Sequence, residues 1–434
     1  MDRLRLEIDM SKRNIDCLLS GIGGRAAQVA VQLKNVPDGI EPNDERKRMF
    51  QEKWNWIKQN IRQIQMHRLW SDRIGECIGN YSVTMQRMKY ETDKSVLHLF
   101  VLSNYNDCNR KLLEIMGRNL EIVDAYNKTF WCYVLNNFEN IEFLYYWKKF
   151  DDRFGFIFAE ESKQWFPLSC AEEKEGWRRI EKIGLKKPYV GIFSRDYRYL
   201  SDKEPHRDWS YHDYRDGDID NLRLAIGYLK KENIMTVRMG RITEKKLECE
   251  NCVDYANNFY DEFMDIVLMK NCKFFVGDNS GIICLPMALG RPVAIANMVP
   301  SFSGGMEGIA YNPKDIWIFK KYYDLKKERF LSVKEMMQFE LEMSDPYNGK
   351  NYELRGVKVV SNNENEILDL VKEMNSRLDG TWVDTERDIE NRKIMMELIE
   401  ENRKKRRIGE SVLSKCYISS SFLRSNSFLL EDIR

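Results

Sequence analysis

The sequence predicts an α/β protein of two doubly wound parallel-sheet domains, with helical extensions at both ends. Three observations lead there. At 434 residues the chain is longer than one hydrophobic core usually organises. Short apolar runs such as Val96-Leu97-His98-Leu99-Phe100-Val101-Leu102 and Phe274-Phe275-Val276 carry the β-branched and aromatic residues of buried strands. From residue 189 to residue 296 such runs alternate with amphipathic helical stretches across short connections, the rhythm of parallel β-α-β units.

Residues 1–70 read as a helical N-terminal region, because Phe50, Trp54, Ile57, Ile61 and Ile64 recur at spacings of three and four. Residues 71–150 form the first sheet domain in this reading: a strand over 96–102, a polar loop over 103–107, a helix over 109–116 and a strand over 120–123. Residues 151–187 are a connection, with a helix over 171–183 punctuated by Gly184 and Pro188. Residues 188–330 give the clearest series. Strands are expected over 189–193, 234–238, 274–276 and 292–296, with helices over 219–232, 259–270 and 281–289. A long charged loop, 194–218, follows the first of these strands. Residues 331–434 read as a polar, helical C-terminal region.

Composition narrows the function classes. A hydrophobic share of 43% against 32% charged residues suits a globular chain rather than a disordered one. Lys and Arg total 69 against 68 Asp and Glu, so nothing in the overall charge points to a nucleic-acid partner. The cysteines are scattered, and the lone Cys249-x-x-Cys252 pair lacks the second pair a structural zinc needs. Ten thiols without a disulfide framework favour a reducing, cytoplasmic setting. No run of about 18 apolar residues suggests a spanning helix. Lys404-Lys405-Arg406-Arg407 is a solvated helix end, or a basic patch by which the protein rests peripherally on an anionic membrane.

Ligands of open parallel sheets lie beyond the carboxyl ends of the strands, so the loops there hold the candidates. Gly277-Asp278-Asn279-Ser280-Gly281 follows a strand and opens a helix. Its small residues admit a phosphate, Asp278 or Asn279 suits sugar hydroxyls, and Ser280 and Gly281 suit phosphate oxygens. The same residues equally suit a plain strand-to-helix turn with Ser280 as the cap. Arg238-Met239-Gly240 ends another strand and fits a diphosphate, or an ordinary turn beside a surface arginine. The loop Ser194-Arg195-Asp196-Tyr197 runs on to His206, His212 and Asp213, each histidine being a general base or an exposed loop residue. Asp72-Arg73-Ile74-Gly75-Glu76 places a carboxylate after a turn glycine, a proton acceptor for an attacking hydroxyl or a surface charge. Asp216-Gly217-Asp218 has Asp-x-Asp spacing, but helix-start carboxylates explain it better than a cation site, and no metal is expected.

Several of these pieces recur in one order. They are Arg73-Ile74-Gly75-Glu76 with Asn80, Arg195-Asp196 with Tyr214-Arg215-Asp216, Asn221, and Val237-Arg238-Met239-Gly240. Asp254-Tyr255, Asp265, 277–281, Arg291-Pro292, Asn297 and Pro300 complete the set. Over residues 65–310, and again in the tail 418–430, the chain resembles a family of bacterial glycosyltransferases associated with cell-surface carbohydrate assembly. More distantly it is similar to heptosyltransferases. Their first loop carries Arg-x-Gly-Asp, with Glu76 here in the acidic place, and their donor loop is Asp-x-Gly-Pro-like, with Ser280-Gly281 here in place of Gly-Pro.

The resemblance implies the GT-B arrangement, two Rossmann-like domains facing a cleft with the C-terminal helices crossing back onto the first. It implies an enzyme that takes a nucleotide-sugar as substrate, without a further cofactor. The acceptor would be a glycan, lipid-linked molecule or protein. Ser194, Arg238, Gly240, Asp278, Asn279, Ser280 and Gly281 would hold the donor, and Arg195 would face the leaving group. Glu76 would be the base, with Arg73, Gly75 and Asn80 on the acceptor side. Rival expectations are a polysaccharide pyruvyl transferase, a sugar-nucleotide epimerase, or a non-catalytic nucleotide- or carbohydrate-binding protein.

Overall fold

In unit 1 the chain pairs four parallel strands in the order β3-β2-β1-β4, where β1 is Gln63–Leu69, β2 Val96–Leu102, β3 Glu121–Asp124 and β4 Ile141–Leu144. The computed structural model describes residues 59–90, 93, 95–102, 108–119, 121–124, 141–144, 162–303, 313–406 and 417–433. Two compact units divide the chain, residues 1–150 and 151–434. The loop expected over 103–107 and the residues Phe50, Trp54 and Ile57 lie outside the described residues.

β1 corrects the first expectation, since the region read as helix up to residue 70 ends in a strand. Ile61 and Ile64 fit a helical stripe, but Gln63-Ile64-Gln65-Met66-His67 alternates polar and apolar side chains, the two-residue period of a strand. Helix Ile74–Tyr90 follows β1 and buries Cys77, Ile78 and Tyr81 on one face. Gly75 is therefore a first-turn helical residue and not a turn glycine. Helix Arg110–Met116 begins where Asn109 accepts the Leu112 N–H at 2.8 Å.

Unit 2 is organised on seven parallel strands. β5 is Tyr189–Phe193, β6 Met235–Arg238, β7 Cys252–Val253, β8 Phe275–Asp278, β9 Val293–Met298 and β10 Ile316–Phe319. β11 is Lys321–Asp324, β12 Arg329–Phe330, β13 Val357–Val360 and β14 Tyr417–Ile418. The large sheet runs β14-β10-β9-β8-β5-β6-β7, while β12-β11-β13 forms a small antiparallel sheet. The chain thus lays down β5, β6 and β7 in one direction, returns beside β5 with β8, and continues outward. β5 and β8, adjacent in space but not in sequence, flank the switch point of a doubly wound fold.

β8 and β9 are buried along their whole length, and β5 along all but its last residue, as strands covered on both faces must be. Gly277 lets β8 come this close, for a Cβ there would stand 2.9 Å from the Phe193 carbonyl oxygen. Helix Arg223–Lys231 buries Ala225, Ile226 and Leu229, and helix Glu262–Asn271 is buried over most of its length. The expected helix over 281–289 is instead a 3-10 turn, Gly281–Ile283, followed by the short helix Cys284–Ala288. Pro286 inside it lacks the N–H that a longer ladder needs.

The region 331–434 is less purely helical than expected, because β13 and β14 lie in it and β12 just precedes it. Its helices Val333–Leu341, Glu364–Leu378 and Glu386–Arg406, and the tail residues 417–433, belong to unit 2. Helix Cys170–Lys182, in the stretch read as a connection, opens with a capping box on Ser169 and Glu172 and packs on helix Glu262–Asn271.

Candidate functional site

Each strand of the large sheet delivers its C-terminal loop to one edge, and at the switch point the two central loops interlock. Asp278, the last residue of β8, is 3% exposed and accepts three hydrogen bonds. Ser194 Oγ and the Arg195 backbone N–H each donate to Oδ2 at 2.8 Å, and Asn297 Nδ2 donates to Oδ1 at 2.6 Å. Burial pushes the Asp278 carboxyl up, and these bonds pull it back. Asn297 has φ of +52°, and it exchanges two 2.7 Å bonds with Asn362, its own N–H to Asn362 Oδ1 and the Asn362 N–H to its Oδ1. Asn362 Nδ2 in turn donates to the Phe319 carbonyl at 2.9 Å. The ends of β5, β8, β9 and β10 are thus tied through buried amides and one carboxylate.

Three cations gather on this floor. Arg195 is 8% exposed, and its Nη1 donates to the His212 carbonyl at 3.2 Å and to the Asp216 carboxylate. Arg215 Nη2 donates to the Asn279 carbonyl at 3.1 Å. Lys320, at the junction of β10 and β11 and 2% exposed, donates to the Tyr214 and Asp216 carbonyls at 2.9 and 2.6 Å. Burial, with Arg195 and Arg215 adding to it and Asp278 opposing, pushes the Lys320 ammonium down to about 8. Burial and then Arg215 push Arg195 down to about 10. Beside them Ser280 Oγ is buried with no hydrogen-bond partner among the described residues. A hydroxyl one residue beyond the Asn279 carbonyl that the half-buried Arg215 holds is a place where an oxyanion would be held.

The expected donor residues therefore separate into groups. Ser194, Arg195, Asp278, Asn279 and Ser280 come together, with Gly281 exposed at their edge. Asp278 is sealed from a sugar: a Cβ on Gly217 would stand 2.1 Å from Asp278 Oδ2, so the loop above it leaves no room even for a methyl. Its part is to pin the β5 loop to β8. Arg238 is turned elsewhere, 1% exposed, with Nη1 2.5 Å from the Lys245 carbonyl and 3.5 Å from Asp254 Oδ2. Gly240 makes the adjoining turn at φ of +133°. Asp216 and Asp218 face different cations, Arg195 and Lys245, rather than one common point. His206 is exposed, and the half-buried His212 packs tilted against Tyr211 at 4.1 Å between centroids. Arg215 and Lys320 were not among the expected donor contacts. Arg215 is visible only within Tyr214-Arg215-Asp216, and nothing local marks Lys320.

In unit 1, Glu76 sits in the first turn of helix Ile74–Tyr90, directly after β1, whose neighbours β2 and β4 make it that sheet's own switch point. Arg73 precedes the helix, its carbonyl accepting the Cys77 N–H at 2.9 Å. Asn80 is 3% exposed, and both polar atoms of its side chain lack a hydrogen-bond partner among the described residues. No helix among the described residues is long and apolar enough to cross a membrane. Lys404 and Lys405 are exposed, and Arg407 lies outside the described residues.

No protein-family profile matches the chain, and no curated protein matches it. Among solved structures it is similar to a family 9 glycosyl transferase from Veillonella parvula, at 9% identity and a TM-score of 0.43, covering 73% of this chain and 97% of that one. It is similar to the ADP-heptose lipopolysaccharide heptosyltransferase II of E. coli at 14% identity and a TM-score of 0.35, over 56% of this chain and 87% of that one. It is similar also to the wall teichoic acid polymerase TagF at 12% identity and a TM-score of 0.25, over 80% and 91% of the two chains. At scores this low no residue role is carried from those proteins to this one.

Proposed function

We propose that the chain is a glycosyltransferase that binds a nucleotide-sugar in unit 2 and passes the sugar to a cell-surface glycan, a lipid-linked molecule or a protein. The observation that carries the reading is the convergence of Arg195, Arg215 and Lys320 with the unpartnered Ser280 hydroxyl at the β5/β8 switch point. In a doubly wound sheet that is where a nucleotide lies, and two buried cations with the half-buried Arg215 suit its diphosphate.

Arg195, Arg215 and Lys320 would hold the diphosphate and stabilise the charge it gains on leaving, with Ser280 and Gly281 at its oxygens and Asn279 toward the sugar. Three protein cations fill the role a divalent ion otherwise plays, so no metal is needed. Glu76, by resemblance, takes the proton of the attacking hydroxyl, with Arg73, Gly75 and Asn80 around the acceptor. Asp278 supports the donor loop instead of touching the sugar. A cytoplasmic setting and rest at a membrane surface belong to the same proposal.

The test is thermal unfolding of the full chain against UDP-, GDP-, CMP-, ADP- and dTDP-sugars. A ligand that binds only the folded protein adds about 2.7 kcal/mol at a hundredfold excess over its Kd. One nucleotide class is expected to raise the midpoint selectively. A well-folded sample that responds to none of the five classes would overturn the donor-site reading.

A further inference from the structure

The loop 213–218 lies over the switch point, and it already makes the contacts an entering phosphate would make. Asp216 sets its carboxylate on the Arg195 guanidinium, with only 10% and 19% of the two side chains exposed. The carbonyls of Tyr214 and Asp216 take the Lys320 ammonium at 2.9 and 2.6 Å. The Gly217 N–H closes the loop onto the Arg195 carbonyl at 2.9 Å. A Cβ on Gly217 would stand 2.7 Å from Ser194 Oγ as well as 2.1 Å from Asp278 Oδ2, so loop and floor touch without a gap.

Arg195, Arg215 and Lys320 face the carboxylates of Asp278 and Asp216, with the exposed Asp213 carboxylate also acting on Arg195. Asp278 also spends its oxygens on Ser194, the Arg195 N–H and Asn297 and not on a cation's side chain. Asp216 is thus the carboxylate that neutralises Arg195 directly. With the loop shut, burial still weighs on these cations, and it is the chief cause that holds the Lys320 ammonium down.

We propose that Asp216 is an internal occupant of the phosphate place, holding Arg195 while the site is empty and displaced by a ligand phosphate as loop 213–218 lifts. The proposal rests on the donor-site reading above. A diphosphate brings more charge and more oxygens than one carboxylate, so it satisfies Arg195 and Lys320 together. A simple carboxylate ligand only replaces what Asp216 supplies, and the site therefore selects phosphate-bearing ligands. The shut loop also lowers the apparent affinity by the fraction of molecules in which it is open.

The experiment is calorimetric titration of the full chain with UDP, GDP, ADP, CMP, dTDP and inorganic pyrophosphate. Asp216→Asn keeps the shape of the side chain and removes its charge. It is expected to bind the ligands that wild type binds about tenfold more tightly or better, the worth of a hydrogen bond to a charged group. Asp216→Glu keeps the carboxylate and is expected to show no such gain. Gly217→Ala tests the loop independently, since the methyl must hold it off Asp278, and it is expected to tighten binding too. Should Asp216→Asn not fold, Gly217→Ala decides. Wild-type binding with equal or weaker binding in Asp216→Asn overturns the internal-occupant proposal and leaves the donor site standing. Absence of binding in wild type and in both loop variants overturns the donor site itself.

Discussion

Lys320 shows how much of the site is decided by a single buried charge. Its ammonium, pushed down to about 8 from the ordinary 10.5, binds a proton less readily in the folded protein than in the unfolded one. The unfolded chain therefore carries the extra proton from about pH 8 to 10.5, and the stability linked to this group rises with pH across that window. Below pH 8 the full cost of burying the charge is felt. Ligand binding runs the opposite way, because a neutral Lys320 no longer attracts a phosphate oxygen. Nucleotide affinity is expected to fall as pH passes about 8, and Lys320→Met should weaken binding at pH 7 by about tenfold and flatten that fall. Kd measured across the alkaline range checks both, and a wild-type affinity indifferent to pH would take Lys320 out of the phosphate place. The local sequence could not reveal this residue, since Phe319-Lys320-Lys321 reads as a strand end with two surface lysines. Arg238 misled in the opposite sense. A strand-end arginine beside Gly240 looks the same whether it faces a diphosphate or, as here, Asp254.

At the scale of elements, four strands of the large sheet, β5, β6, β8 and β9, were legible as apolar runs, whereas β7, β10 and β14 were not read. Tyr189–Phe193 and Val293–Met298 stand out as apolar runs of strand length. β1 was read as helix because Ile61 and Ile64 satisfied a helical spacing at its start. β13 could have been read from Val357-Lys358-Val359-Val360 after Gly356, whereas two-residue β14 lies below the length at which a period exists. β14 nevertheless completes the sheet edge, pairing with β10 through Trp317 and Ile418. The tail 417–433 is held by Glu373, a carboxylate with no exposed surface. It accepts Ser419 Oγ at 2.7 Å, the Ser420 N–H at 3.1 Å, and the Ser421 N–H and Oγ at 2.9 and 2.8 Å. Arg377 balances its charge at 2.8 Å. Glu373→Gln turns an amide NH2 toward these donors and removes one of the two carboxylates of Arg377, Asp384 remaining at 2.8 Å, so about 1–3 kcal/mol of stability should be lost. Hydrogen exchange in 417–433 should rise selectively. A variant whose tail exchanges as slowly as wild type would mean that its other contacts, the Arg424–Asp388 pair and the buried Phe422, Leu423, Leu429 and Leu430, dock it without Glu373.

At the scale of the whole molecule, both units place polar and charged residues at a sheet switch point. In unit 1 the order β3-β2-β1-β4 puts Arg73 and Glu76 just beyond β1, and in unit 2 the order β14-β10-β9-β8-β5-β6-β7 puts Arg195 and Asn279 beyond β5 and β8. The alternation of elements was readable along the chain, but the order of the strands was not, because which neighbour a returning strand chooses depends on contacts distant in sequence. The division of charge between the units makes the proposed roles separable. The cations that would hold a donor belong to unit 2, and the carboxylate that would take the acceptor's proton belongs to unit 1. Glu76→Gln should therefore leave nucleotide binding within about twofold of wild type while slowing sugar transfer by 10²–10⁴-fold, the usual worth of a general base. Release of nucleotide diphosphate in the presence of an acceptor extract measures the transfer, and calorimetry measures the binding. Transfer at the wild-type rate would show that Glu76 is only a first-turn helix carboxylate. Binding lost together with transfer would mean that Glu76 takes part in holding the donor.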